Sequence, residues 1–251
     1  MIYTPEMIKE VAPSVFATSP SKKLSSRYSF VPTDKIIELF DKENWNVASV
    51  SQTGKGIHAL HEIRLRNGDL PAVGDTLVEA IIRNSHNGSA TLSVSSGLHR
   101  LVCSNGLTVP TSVADSFKVR HSGLELDDVK RVMDGFAERL PIIQGSVGRM
   151  MERQLTMDEK VEFVQKAAKI RWASGSLPSD DLLVNLLDAK RIEDEGDDLW
   201  KTFNVVQENF VRGGFEYRSQ KGRKTRLRNL KNILAVNHVN TKLWELAEEM
   251  I

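Results

Sequence analysis

The chain has 251 residues, enough to bury one sizeable core or one core with a smaller helical annex. Hydrophobic residues make up 40% of it, and 34 Lys and Arg nearly balance 33 Asp and Glu, the profile of a soluble globular protein rather than a disordered tail. No apolar run approaches the roughly 18 residues of a membrane span. Met1-Ile2-Tyr3-Thr4-Pro5-Glu6 lacks the basic-then-apolar layout of a secretory signal, and the single Cys103 excludes an intrachain disulfide and fits a reducing cytoplasm.

Residues 1–26 read as an N-terminal arm with a short helix around Pro5–Val11. Thr33 is expected to cap a helix whose apolar stripe is Ile36, Ile37 and Phe40 and which ends near Asn44. Trp45–Val50 has the pattern of a strand, and Thr53-Gly54-Lys55-Gly56 that of a turn. In the next strand Ile57, Ala59, His61, Ile63 and Leu65 alternate with His58, Glu62, Arg64 and Arg66, so the two sets face opposite ways. Thr76–Arg83, Thr91–Val94 and Arg100–Cys103 complete a sheet of about five strands, with Asn87-Gly88 as its strongest hairpin cue.

The remainder reads as helical. A short helix is expected over Val113–Val119, and an amphipathic one carries Val129, Val132, Met133, Phe136 and Leu140. Pro141 kinks or restarts it, and Val147, Met150, Met151 and Leu155 continue the stripe. Thr156-Met157-Asp158-Glu159 has the form of a capping box opening a helix through Trp172. Further helices are expected over Leu182–Arg191, along Leu199, Phe203, Val206 and Phe210 up to Gly213-Gly214, and from about Val239 to Met250. The fold class is therefore α+β: a sheet core with a flanking helix over 27–124, and a helical region over 125–251 packed on it.

Charge is unevenly spread. The segment 212–231 carries Arg212, Arg218, Lys221, Arg223, Lys224, Arg226, Arg228 and Lys231 against the lone acid Glu216, just after the acidic block Glu193–Asp198. Two readings stay open, a polyanion site or two solvated faces. Arg64 and Arg66, together on the polar side of their strand, would extend a cationic surface if that strand lies near an edge.

Of the histidines, His86 sits among hydroxyls and amides at the expected hairpin tip, either as a phosphate or base contact or general base, or as an exposed residue of a self-capped turn. His58 and His61 point to opposite faces, and no Cys pair or zinc-type His spacing occurs, so no metal and no cofactor are expected. Cys103 lies in an apolar strand, where a thiol is usually inert.

Several ordered motifs, namely Ser26-Arg27-Tyr28, Val31-Pro32-Thr33, Trp45, His61 with Arg64-Leu65-Arg66, Asn84–Ser89, Arg100–Leu107 and Arg120–Gly123, resemble the phage/plasmid-like "domain of unknown function 932" proteins. One departure stands out: the family loop usually reads Asn-Ser-His-Asp-Gly-Ser, and here the acid is the neutral Asn87. The resemblance implies carriage on phages, plasmids and integrated elements, hence recombination or replication. In layout alone the chain is also similar to the core of single-strand-annealing recombination proteins, an analogy of fold that carries no function by itself.

The leading expectation is a cytoplasmic, non-enzymatic DNA-binding protein that prefers single strands, with a homo-oligomer as one open form, and does not engage a membrane. Its contacts would be Arg212, Arg218, Lys221, Arg223, Lys224, Arg226, Arg228 and Lys231, with Arg64 and Arg66. The rivals are a nucleic-acid-modifying enzyme built on His86, His61, Asn105 and His121, and a protein that blocks a host defence component.

Overall fold

The computed structural model describes residues 2–100, 107–108, 117–119, 140–172, 178, 183–214, 216–218 and 222–251. It divides into two compact units, Met1–Ile142 and Ile143–Ile251. The chain is α+β, with an antiparallel sheet in the first unit and a largely helical second unit.

In the first unit, α1 spans Pro5–Val11, with Thr4 accepting from the Met7 N–H and Pro5 at the first position. A single 3-10 turn, Pro13–Phe16, follows. Ile8, Ala12, Val15 and Ala17 are all buried, so this N-terminal stretch contributes to the core. α2 covers Thr33–Lys42. Its cap position is taken by Pro32, and Thr33 is the first helical residue, with its side chain fully buried. The expected capping role for Thr33 is thus replaced by another, described below.

Four long strands run antiparallel in chain order: β1 Trp45–Thr53, β2 Leu60–Asn67, β3 Thr76–Asn84 and β4 Leu92–Arg100. Two short segments, β5 Leu107–Thr108 and β6 Phe117–Val119, both pair with the outer side of β4. Residues 117–119 are therefore strand where a helix was expected. A bulge between Val47 and Ser49 restores the alternation of β1, so that Trp45, Val47 and Val50 all share the face of Ile63 and Leu65. That face also carries Val78, Ala80, Ile82, Val94 and Leu98, and packs under α1, α2 and the Pro13–Phe16 turn. Phe40 and Trp45 meet edge to face at 6.0 Å. Ile57 stands outside β2 and is exposed, because the chain is still turning there.

The link from β3 to β4 is not the two-residue hairpin suggested by Asn87-Gly88. Only Gly88 has positive φ, at 79°, and seven residues connect the strands. Asn87 Oδ1 instead accepts from the Ser89 N–H at 3.0 Å, an Asx turn.

α3, Leu140–Glu152, lies mostly in the second unit and has Pro141 near its start among the described residues. α4, Met157–Arg171, opens on a complete capping box between Thr156 and Glu159. Of the helix expected over 182–191, residues 183–184 are α-helical and run into the 3-10 turn Asn185–Leu187, while residues 188–191 are not helical; a second 3-10 turn, Ile192–Asp194, follows. α5 is Leu199–Arg212, buried on nearly every side. α6 is Ile233–Glu248, begun six residues early by the Asn232 side chain, which accepts from the N–H groups of Leu234 and Ala235. Phe163, Phe203, Phe210, Leu243 and Trp244 are fully buried here, with Trp200 stacked on Phe203 at 5.5 Å. Between α5 and α6 the basic segment forms a two-stranded ribbon, β7 Glu216–Arg218 with β8 Lys224–Arg226, not a helix or an open coil. The expected helix through Val129–Leu140 and the strand residues Leu101–Cys103 lie outside the described residues, Leu140 excepted.

Gly213 ends α5 with φ 60° and ψ −140°, a region open essentially to glycine alone. A Cβ there would sit 2.6 Å from the Leu227 carbonyl oxygen. Gly213→Ala is expected to destabilise the second unit by about 2–4 kcal/mol, read as a lower urea midpoint, whereas a substitution at exposed Arg228 should stay within about 0.5 kcal/mol.

Candidate functional site

The histidines form a closed cluster beneath the sheet's apolar face. His61 and His86 are both fully buried, with ring centroids 5.4 Å apart. Around them stand Ser14, Thr33, Asn84 and Ser85, each without solvent exposure.

The hydrogen bonds assign the tautomer of His61. Its Nδ1 lies 3.1 Å from the Ala59 carbonyl oxygen, which can only accept, so Nδ1 carries the proton. The same N–H reaches Ser14 Oγ at 2.8 Å, and the Ser14 hydroxyl donates onward to Gln52 Oε1 at 2.6 Å. Nε2 is then an acceptor for the Thr33 hydroxyl at 2.9 Å. Thr33 Oγ1 in turn accepts from Asn84 Nδ2 at 3.0 Å and stands 3.4 Å from His86 Nε2. One hydroxyl thus joins the start of α2, the start of β2 and the end of β3.

His86 is held by its backbone as well: its N–H donates to the His58 carbonyl at 3.1 Å, and its carbonyl accepts from Ser21 at 2.8 Å. Phe30 lies tilted on its ring at 4.8 Å, and the Tyr28 hydroxyl donates to the Ser85 carbonyl at 2.9 Å. Ser85 Oγ clamps both the N–H and the carbonyl of Ala90 at 2.9 Å. The exposed-turn reading of His86 therefore fails, and a substrate reaches neither imidazole while the 19–33 segment stays in place. Sequence reasoning missed Ser14 and Thr33 as partners of His61, and Gln52 as the partner of Ser14. They come from three separate segments, and no local pattern links them. Asn105 and His121 lie outside the described residues.

The other face of the sheet carries charge. Arg64 pairs with Glu79 at 3.1 Å and with Glu62 at 3.2 Å, Arg66 with Glu79 at 2.7 Å, and Arg83 with Glu62 at 3.3 Å. Glu79 is fully buried. Burial alone would depress the Arg64 guanidinium, but the carboxylates of Glu62 and Glu79 outweigh it and hold Arg64 above its ordinary value. Arg64 and Arg66 are thus committed to internal ion pairs. The cross-strand register could have signalled this, because Arg66 stands directly opposite Glu79 and Glu62 opposite Arg83.

The basic ribbon is different. Arg223, Lys224, Arg226, Arg228 and Lys231 are all exposed. Lys224 has a loose exposed contact with Glu216 at 3.5 Å, and Arg226 Nε donates to the Gly214 carbonyl. Arg223, Arg228 and Lys231 carry no side-chain ion pair among the described residues. Arg212 leans on Glu208 at 3.3 Å. Lys221 and the Arg218 side chain lie outside the described residues. The ribbon is rooted by Trp172, whose indole N–H donates to the Tyr217 hydroxyl at 3.1 Å, and by Gly214 and Val211, which bond to Leu227 and Leu230. No group of three or more metal-ligating side chains occurs among the described residues, and no helix among them is long and apolar enough to cross a membrane.

Residues 21–234 match the family described as Domain of unknown function (DUF932). The chain belongs to that family. It is similar to two Escherichia coli (strain K12) proteins, UPF0380 protein YafZ and UPF0380 protein YfjQ, at 29% identity each, over 99% of this chain and 91% of each relative. Neither name states an activity, and no solved structure matches. In this DUF932 protein the motif residues His61, Thr33, Asn84, Ser85 and His86 sit in the buried cluster and help hold the first unit together, whereas Asn87, Gly88 and Ser89 are exposed.

Burial pushes His61 from 6.5 down to about 4, against a smaller opposite pull from the Ala59 carbonyl. The unfolded chain therefore binds a proton that the folded chain refuses. Stability should be full above about pH 6.5 and fall by about 3 kcal/mol as pH drops towards 4, and His61→Gln should flatten that part of a pH series of urea midpoints. On the opposite face, Glu79→Ala removes the shared partner of Arg64 and Arg66 and is expected to cost about 3–5 kcal/mol, measured in the same assay.

Proposed function

We propose that this protein binds DNA, with a preference for single strands, through the cationic ribbon and the segment that follows it, in recombination or replication of a mobile element. The observation that carries the reading is the split among its arginines and lysines. Those on the sheet are spent on buried carboxylates, while Arg223, Arg228 and Lys231 face solvent and form no ion pair among the described residues. A cluster of that kind raises the local potential by adding like charges, a cost that a polyanion removes. The guanidinium and ammonium groups would displace counterions condensed on the phosphates, and that release supplies the affinity. No base edge or bond needs to change for this to work, so the role is that of a holder of strands.

Replacing Arg223, Lys224, Arg226 and Arg228 together by Gln should weaken binding of a single-stranded oligonucleotide at least tenfold at low salt. It should also shrink the slope of log affinity against log salt by about 3, since each lost phosphate contact is worth roughly 0.7 on single strands. Fluorescence anisotropy over a salt series reads both quantities, and an unchanged slope in the variant would refute the proposal.

A further inference from the structure

An open recess of about 510 Å³ lies at the root of the ribbon. One wall is Asn185 with Asp188, Ala189 and Lys190, the other is the Gly213-Gly214 pair, and Asn209 lies between them. Its size is that of a site for one small organic group.

The frame is fixed by hydrogen bonds. The buried Asn209 amide donates to the carbonyls of Leu186 at 3.0 Å and Asp188 at 3.3 Å, and the Asp188 N–H donates to the Asn185 carbonyl at 3.3 Å. On the far side the Gly214 N–H bonds to Leu227 at 2.9 Å, and its carbonyl accepts from Arg226 of the ribbon. A strand lying along the ribbon therefore passes the mouth of the recess.

The side chains that frame this mouth have opposite signs. Asp188 and Lys190 carry no side-chain hydrogen bond or ion pair among the described residues. Lys190 also feels Glu208, Arg212 and Arg191 nearby. A bare phosphate would be repelled by Asp188 and by the carbonyl end of α5. A bare cation would be repelled by Lys190 and Arg212. A nucleotide satisfies both, with its phosphate towards Lys190 and a base that offers N–H donors towards Asp188.

We propose, building on the nucleic-acid reading above, that this recess takes one unpaired nucleobase with N–H donors on its Watson–Crick edge, guanine foremost, and that Asp188 is the residue that selects it. Guanine presents two adjacent N–H groups that a carboxylate accepts together, whereas thymine presents one N–H between two carbonyls that a carboxylate repels. In a duplex that edge is already paired, so a preference for single strands follows from the recess itself.

The test compares two labelled single strands of about 20 nucleotides, one all thymidine and one with a single central guanosine, by anisotropy at low salt. The native protein should bind the guanosine strand at least about fivefold more tightly. Asp188→Asn should lose that gain while its affinity for the all-thymidine strand holds or rises, with circular dichroism confirming the fold. Equal binding of the two strands by the native protein, or a gain that survives Asp188→Asn, overturns this proposal and leaves the cationic ribbon standing. Failure to bind either strand overturns both.

Discussion

The first unit depends on the Thr33 hydroxyl. A threonine oxygen can donate once and accept twice, and here it donates to His61 and accepts from Asn84, with His86 at its remaining side. Three segments far apart in the chain are thereby tied at a point with no access to water. Buried polar groups of this kind are costly unless every partner is present, so the arrangement selects one packing of α2 on the sheet. Charging His61 would place a cation in a site closed to water, which is why its neutral form is favoured.

The two faces of the sheet solve separate problems. Beneath it, apolar side chains and the histidine cluster bind the N-terminal helices. Above it, buried glutamates are compensated by arginines from neighbouring strands, and removal of either sign leaves the other stranded at low dielectric. The second unit follows a simpler plan, with aromatic packing around α5 and the ribbon hung from the end of that helix by Gly213 and Gly214.

Much of this was legible in the sequence where the signal is local. The Thr156–Glu159 box, the Pro5 start and the Gly213-Gly214 stop all act within a few residues, and the structure has each of them. Signals that need a partner elsewhere were not legible. Thr33 looked like a cap because Ser, Thr, Asp and Asn before an apolar run usually are, and only the tertiary position of His61 turns its hydroxyl inward. His86 looked exposed because turns usually are, yet Phe30, Tyr28 and Ser21 fold back over it from a stretch that reads as polar and unstructured. The ribbon escaped notice because its strands are three residues each, too short for alternation to show.

The Asx turn at Asn87 explains the one place where this chain departs from its family's usual loop. The side-chain oxygen of residue 87 has a single duty, to receive the Ser89 N–H at the surface. An amide oxygen and a carboxylate oxygen serve equally well for that purpose. Exchange of aspartate for asparagine here is then a silent variation of the backbone's own wiring, and it says nothing about lost or gained reactivity.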